Sequence, residues 1–182
     1  MDKVTYLRKK QELSENVAKF KREKFCFKCF RVQENCLCSH IKPFNTKARF
    51  VILMHPMEAK KEKMGTGRLS LACLQNSELI IGIDFSEDET VNKIIKNQHN
   101  HCVVLYPGDK SLNISNDDVS ELKSLTTQAQ KQLVVFLIDG TWPCAKKMMR
   151  LSKNIQIMPR VSFTATHESL FLIKEQPAEY CL

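Results

Sequence analysis

The stretch Val134–Met149, VVFLIDGTWPCAKKMM, decides how the rest of the chain is read. Val134–Ile138 is an unbroken apolar run, the signature of a strand buried on both faces of a parallel sheet. Asp139-Gly140 is a turn pair at its carboxyl end. Trp142, the only Trp among 182 residues, comes next, and Pro143 sits where a first helical turn tolerates it. The segment is therefore a strand, a tight turn and a helix running to Leu151. An acid and an indole stand at the strand's mouth.

Outward from this unit the same texture repeats. ARFVILMH (48–55), ELIIGI (78–83) and HCVVLY (101–106) predict three more buried strands, and RVSFTA and SLFLIK near the end predict two short ones. Helices are expected over Arg68–Leu74, Glu87–Lys96, Asp117–Lys131 and Pro143–Leu151, with Ser115 or Asp117 capping the third. Strand–helix alternation makes this an α/β fold, a mainly parallel sheet flanked by helices. Polar clusters follow three of the strands: His55-Pro56-Met57-Glu58, Tyr106-Pro107-Gly108 and Asp139-Gly140-Thr141-Trp142. Ligands of open α/β sheets bind beyond the carboxyl ends of strands, so these clusters are expected to share one crevice.

Lys and Arg number 28 against 20 Asp and Glu, a formal +8. That excess favours a polyanionic partner, of which nucleic acid is the commonest. Residues 1–25 read as a basic, partly amphipathic helix with Val4, Leu7, Leu13, Val17 and Phe20 on its apolar side. Arg8, Lys9, Lys10, Lys21 and Arg22 offer phosphate contacts. Neither a secretory leader nor a run of about 20 apolar residues is visible, which points to the cytoplasm and away from membranes. No protein partner can be inferred.

Cys26, Cys29, Cys36 and Cys38 fit C-x2-C-x6-C-x-C, and residues 26–46 read as a small metal module. Four thiolates suit a closed structural zinc site. An iron–sulfur cluster and a redox dithiol are the rivals, and His40 could replace Cys38 as a ligand. Cys73, Cys102, Cys144 and Cys181 are unrelated to this cluster, the first two reading as core residues.

CFKCFRVQENCLC, LMHPMEAKKEKMGTGRL, LYPG, DGTWPCAKKMM and MPRVSF, in that order and spacing, resemble the DTW-domain proteins over about Cys26–Ile173. The family is named for Asp-x-Thr-Trp, here Asp139, Thr141 and Trp142. The resemblance implies a SPOUT-like fold with a C-terminal knot. It also implies a tRNA-uridine aminocarboxypropyltransferase that moves the 3-amino-3-carboxypropyl group of S-adenosylmethionine to N3 of uridine. Asp139 is then expected as base or as holder of the donor's ammonium group, and Trp142 as a stacking surface. His55, Glu58, Thr66, Gly67, Arg68, Tyr106, Pro107, Gly108, Gly140, Thr141 and Arg160, with Asp139, are expected to form the donor pocket. Arg68 would grip the donor carboxylate or an RNA phosphate. Lys28, Arg31, Lys146, Lys147 and Arg150 are expected tRNA contacts. The chain stops at PAEYCL, where the family's Ser-Thr-x-Glu-Ala segment would begin. The catalytic domain, 47–182, is therefore expected to lack its C-terminal end. Two other readings stay open: a SPOUT-like RNA methyltransferase using the same donor, and a non-catalytic zinc-containing RNA-binding protein.

Overall fold

The computed structural model describes residues 4–5, 8–9, 11–12, 15, 24–26, 29, 31–61, 65–127 and 130–165. The described residues are built around a single all-parallel sheet of six strands. Their order is β1 (Arg49–Met54), β2 (Ser77–Ile81), β3 (Asn100–Leu105), β4 (Leu112–Asn113), β5 (Gln132–Asp139) and β6 (Arg160–Ser162) in sequence, and β2-β1-β5-β3-β6-β4 in space. The helices are α1 (Pro56–Lys61), α2 (Thr66–Cys73), α3 (Glu89–Lys96), α4 (Ser120–Thr127), α5 (Trp142–Leu151) and α6 (Lys153–Gln156). The parallel α/β class read from the sequence holds. SLFLIK, and the portion of the chain in which the resemblance implies a knot, run into 166–182, outside the described residues.

The register between the two central strands sets the geometry of everything that follows. Val51 pairs with Phe136 and Leu53 with Ile138, whereas Ile52 pairs with Leu137 and Met54 with Asp139. Val51, Leu53, Val134 and Phe136 lie in a buried cluster with Val91 and Ile94 of α3 and Met148 and Met149 of α5. Successive side chains of a strand alternate in direction, so Asp139 turns to the opposite face, beside Met54. Helix α2 lies on that face, its Gly67 against Met54 and Asp139.

A polar seam ties α5 and α6 to the loop after β2. Ser152 is buried and its Oγ accepts from the Phe85 N–H at 3.1 Å. Asn154 Nδ2 donates to the Phe85 carbonyl at 2.7 Å and to Asn92 Oδ1 at 2.9 Å. Phe85 is itself fully buried, and its carbonyl would keep the Asp88 N–H at 3.1 Å but lose the shorter of its two bonds, while Asn92 Oδ1 would lose a donor. Asn154→Ala is expected to destabilise the domain by about 1–3 kcal/mol. A urea midpoint shifted downward at unchanged slope would register this.

Three details differ from the sequence reading. Helix α1 begins directly after β1, where no helix was expected. Strand β4 is two residues long and was not expected at all. The entry to α4 is organised by Asp118, whose Oδ1 accepts from the Ser120 N–H at 2.9 Å, and not by Ser115 or Asp117. Asp117 is used instead to bind the Asn113 N–H at 2.7 Å, and the Ser115 N–H binds Asn113 Oδ1. At the amino end, residues 4–5, 8–9, 11–12, 15 and 24 are helical, with Arg8 and Glu12 paired one turn apart at 3.7 Å.

Candidate active site

Strands β1 and β5 are neighbours, yet the connection from β1 leads outward to β2 while that from β5 leads the other way, toward β6. This is the switch point at which an open parallel sheet leaves a crevice. His55 and Asp139 stand on its two sides, linked by the His55 N–H donating to the Asp139 carbonyl at 2.8 Å. The His55 ring is buried, and Nδ1 accepts from the Met57 N–H at 3.2 Å. That bond satisfies one of the open amides of α1, so His55 serves as the helix's cap.

Asp139 Oδ2 is shut off from solvent. It faces the first turn of α2 so closely that a Cβ on Gly67 would overlap it and would lie 2.9 Å from Cγ and 3.0 Å from Met54 Cε. Only a residue without a side chain lets the helix start approach this carboxylate. The helix's positive end favours the negative charge there. Gly140 is crowded more mildly. A Cβ there would be 3.2 Å from Cys144 Cβ and 3.3 Å from His55 Cβ.

Across the crevice, at the end of β3, the Tyr106 and Trp142 rings meet edge to face, with centroids 6.2 Å apart and planes at 72°. The Arg160 guanidinium sits 5.7 Å from the Tyr106 centroid. Burial pushes the Tyr106 phenol above its ordinary pKa, against the pull of Arg160. Gly108 completes this side, since a Cβ on it would stand 3.3 Å from Arg160 Nη1. The Asp139–His55–Gly67–Gly140 group and the Tyr106–Trp142–Arg160–Gly108 group are joined by the turn 139–142 itself.

The other expected site residues occupy the rim. Glu58 is half-buried in the first turn of α1, Thr66 opens α2, and Pro107 and Thr141 are exposed. Arg68 donates to the Ala59 carbonyl at 2.6 Å, which binds α2 to α1.

The four cysteines do converge. Cys26, Cys29, Cys36 and Cys38 present sulfurs that all lie within 4.8 Å of one another, with Cys26–Cys38 at 3.5 Å and Cys29–Cys36 at 3.7 Å. Four sulfurs at about 2.3 Å from a tetrahedral ion are about 3.8 Å apart, so the donor set fits a metal. The turn is closed by the Cys26 N–H on the Arg31 carbonyl at 2.7 Å. His40 is exposed and outside this group. Of the remaining cysteines, Cys102 packs on the core but is only half-buried. Desolvation pushes its thiol up to about 11, partly countered by Arg49. Cys73 is likewise half-buried, short of the core position expected for it.

The profile of the DTW domain family matches residues 23–182. The chain belongs to the DTW-domain family. Proteins named tRNA-uridine aminocarboxypropyltransferase 2 are similar to it. The one from Mus musculus is 27% identical over 161 residues, covering 86% of this chain and 51% of the relative. That of Macaca fascicularis is 27% identical over 166 residues (89% and 53%), and that of Drosophila melanogaster 27% over 170 residues (86% and 61%). The chain thus spans about half the length of the first of these relatives. No solved structure matches it. In this DTW domain the Asp-x-Thr-Trp run is the β5–α5 turn, with the Asp on the α2 face of the sheet and the Trp on the Tyr106 side. Sequence reading did not reveal that Met54 and Gly67 wall in the acid. The only hint was the repeated Gly of the Gly65-Thr66-Gly67 run.

Proposed function

We propose that this DTW domain is a tRNA-uridine aminocarboxypropyltransferase with S-adenosylmethionine as donor. The observation that carries the reading is the walled carboxylate of Asp139 at the sheet's switch point, a few residues from an aromatic–cation cluster. The names of the similar proteins supply the reaction class.

Uridine N3 holds a proton at neutral pH and must give it up to become a nucleophile. A carboxylate within hydrogen-bond reach can take it. The N3–carbon bond then forms at the methylene beside the donor's sulfonium. The carbon–sulfur bond breaks, and its electron pair leaves with methylthioadenosine. The charges involved already exist before the reaction, so the protein's task is positioning and electrostatics. Asp139, at the positive end of α2, either takes the proton or holds the donor's ammonium group. Trp142 and Tyr106 present flat apolar surface for a base. His55, Glu58, Thr66, Gly67, Arg68, Pro107, Gly108, Gly140, Thr141 and Arg160 complete the donor pocket.

The four cysteines hold a structural zinc in a module over 26–46, preceded by a basic arm and followed by the catalytic domain from 47 in a SPOUT-like arrangement. The arm, Lys28, Arg31, Lys146, Lys147 and Arg150 meet tRNA phosphates; Lys28 lies outside the described residues, and the exposure of the last three on α5 supports this. Among the described residues no helix is long and apolar enough to cross a membrane. A tRNA substrate supports a cytoplasmic location.

Purified protein incubated with tRNA and S-adenosylmethionine should yield 3-(3-amino-3-carboxypropyl)uridine by nucleoside mass spectrometry, together with methylthioadenosine. S-adenosylhomocysteine and a methylated nucleoside would instead make it a methyltransferase. Retained tRNA binding without donor turnover would make it a binding module.

A further inference from the structure

Beside the crevice, between the turn 108–110 and the α6–β6 corner, lies a groove of about 510 Å³ lined by Asp109, Lys110, Gln156, Ile157, Pro159 and Arg160, with Met158 behind them. We propose that this groove receives an unpaired nucleotide adjoining the target uridine, a proposal that rests on the reading of the neighbouring site as a tRNA-uridine transferase.

Three observations converge on it. The first is continuity. Arg160 belongs to both places, its guanidinium against the Tyr106 ring on one side and lining the groove on the other. Gly108 permits this, because any side chain there would press on that guanidinium. A chain of nucleotides whose uridine reached Trp142 would therefore meet Arg160 on its way out.

The second is an apolar side chain held in water. Ile157 is 83% exposed, the most exposed among the described large hydrophobics. Its backbone is fixed on both sides. Gln156 Nε2 donates to the carbonyls of Met149 and Arg150 at 2.8 and 2.6 Å, and the Pro159 carbonyl accepts from the Val104 N–H of β3 at 3.0 Å. Met158, between them, is anchored in the core. The corner thus presents a branched apolar surface rigidly, at low entropic cost to a ligand that packs on it. A nucleobase has such a face, and sequence-tolerant packing on bases is how single strands are held.

The third is charge. Lys110 and Arg160 line the groove against a single acid, Asp109, in a chain of net +8. Two cations flanking an apolar surface suit one base with its phosphates, whereas a protein segment would need more buried apolar area than one isoleucine supplies. An unpaired nucleotide fits better than a duplex, whose bases are stacked out of reach.

The test uses the whole chain with tRNA. Ile157→Ala should raise the KM for tRNA about tenfold while kcat at saturating tRNA and the KM for S-adenosylmethionine stay as they are. Lys110→Ala should weaken tRNA binding roughly threefold to tenfold and lower the slope of log Kd against log salt by about one. Photocrosslinking with 4-thiouridine-substituted tRNA should label the tryptic peptide 154–160, NIQIMPR. If Ile157→Ala and Lys110→Ala leave KM and salt slope unchanged, and the peptide is unlabelled in an enzyme that modifies tRNA, the groove proposal falls alone. If the peptide is labelled and the binding effects appear in a protein that transfers nothing, the groove stands and the catalytic reading falls.

Discussion

Asp139→Asn is expected to lower the rate of aminocarboxypropyl transfer by about 10²–10⁴-fold, the range for loss of a positioned proton acceptor, while tRNA binding and the folded structure persist. The substitution is nearly isosteric. An amide fits between Gly67 and Met54 where the carboxylate does, so its effect reports chemistry and not packing. It also separates the two roles left to the acid. If Asp139 takes the N3 proton, kcat falls and the KM for the donor changes little. If it holds the donor's ammonium group, that KM rises as well. Single-turnover rates over a series of donor concentrations distinguish these, and an unchanged rate removes Asp139 from the mechanism. Gly67→Ala serves as a geometric companion. Its added methyl must displace the carboxylate or the first turn of α2, because it would overlap Asp139 Oδ2 and crowd Met54 Cε. Activity should drop although the acid is chemically intact, with a stability loss of about 1–3 kcal/mol from overpacking.

That geometry shows where sequence reading reached and where it stopped. Strands β1, β3 and β5 were legible because a parallel strand covered on both faces is an unbroken apolar run, and VILM, CVVL and VVFLI have that form. The polar residues just after them could be placed on one rim for the same reason. Strand β4 carried no such signal. Its two residues, Leu112 and Asn113, pair only with β6 and owe their place to tertiary pairing. Helix α1 was hidden because its cap is a histidine, a residue that rarely announces a helix start. The start of α4 was misplaced because Ser115, Asp117 and Asp118 all offer the same short-range chemistry. Which one wins depends on the Asn113 turn they compete for. The strand's period of two puts Asp139 and Ile138 on opposite faces, but only the fold reveals that α2 brings a glycine to the Asp139 side.

Removing a metal held by the four cysteines is the other change expected to have a large effect. The purified chain is expected to carry one zinc per molecule by elemental analysis, and Cys29→Ser or a strong chelator should abolish it. Cys29 is the most informative position, being the buried member of the four. Structural zinc contributes about 10–16 kcal/mol to small thiolate-bound modules, far more than a short turn closed by a few backbone bonds can supply. Residues 26–46 should therefore lose protection from hydrogen exchange as a unit. The sheet should not, since its core is built from strands and helices beginning at Arg49. Between the two lies a short backbone link. The Phe44 N–H donates to the Cys73 carbonyl at 2.9 Å, and the Gln75 N–H donates to the Phe44 carbonyl at 3.1 Å. This joins the chain leaving the cysteine module to the end of α2, the helix whose start walls in Asp139. Loss of zinc is thus expected to loosen α2 and reduce transfer activity even while the sheet stays folded. Full activity in a zinc-free protein with a disordered module would show that α2 is held in place without it. A chain that binds iron and absorbs visible light would replace zinc by a cluster at the same four sulfurs.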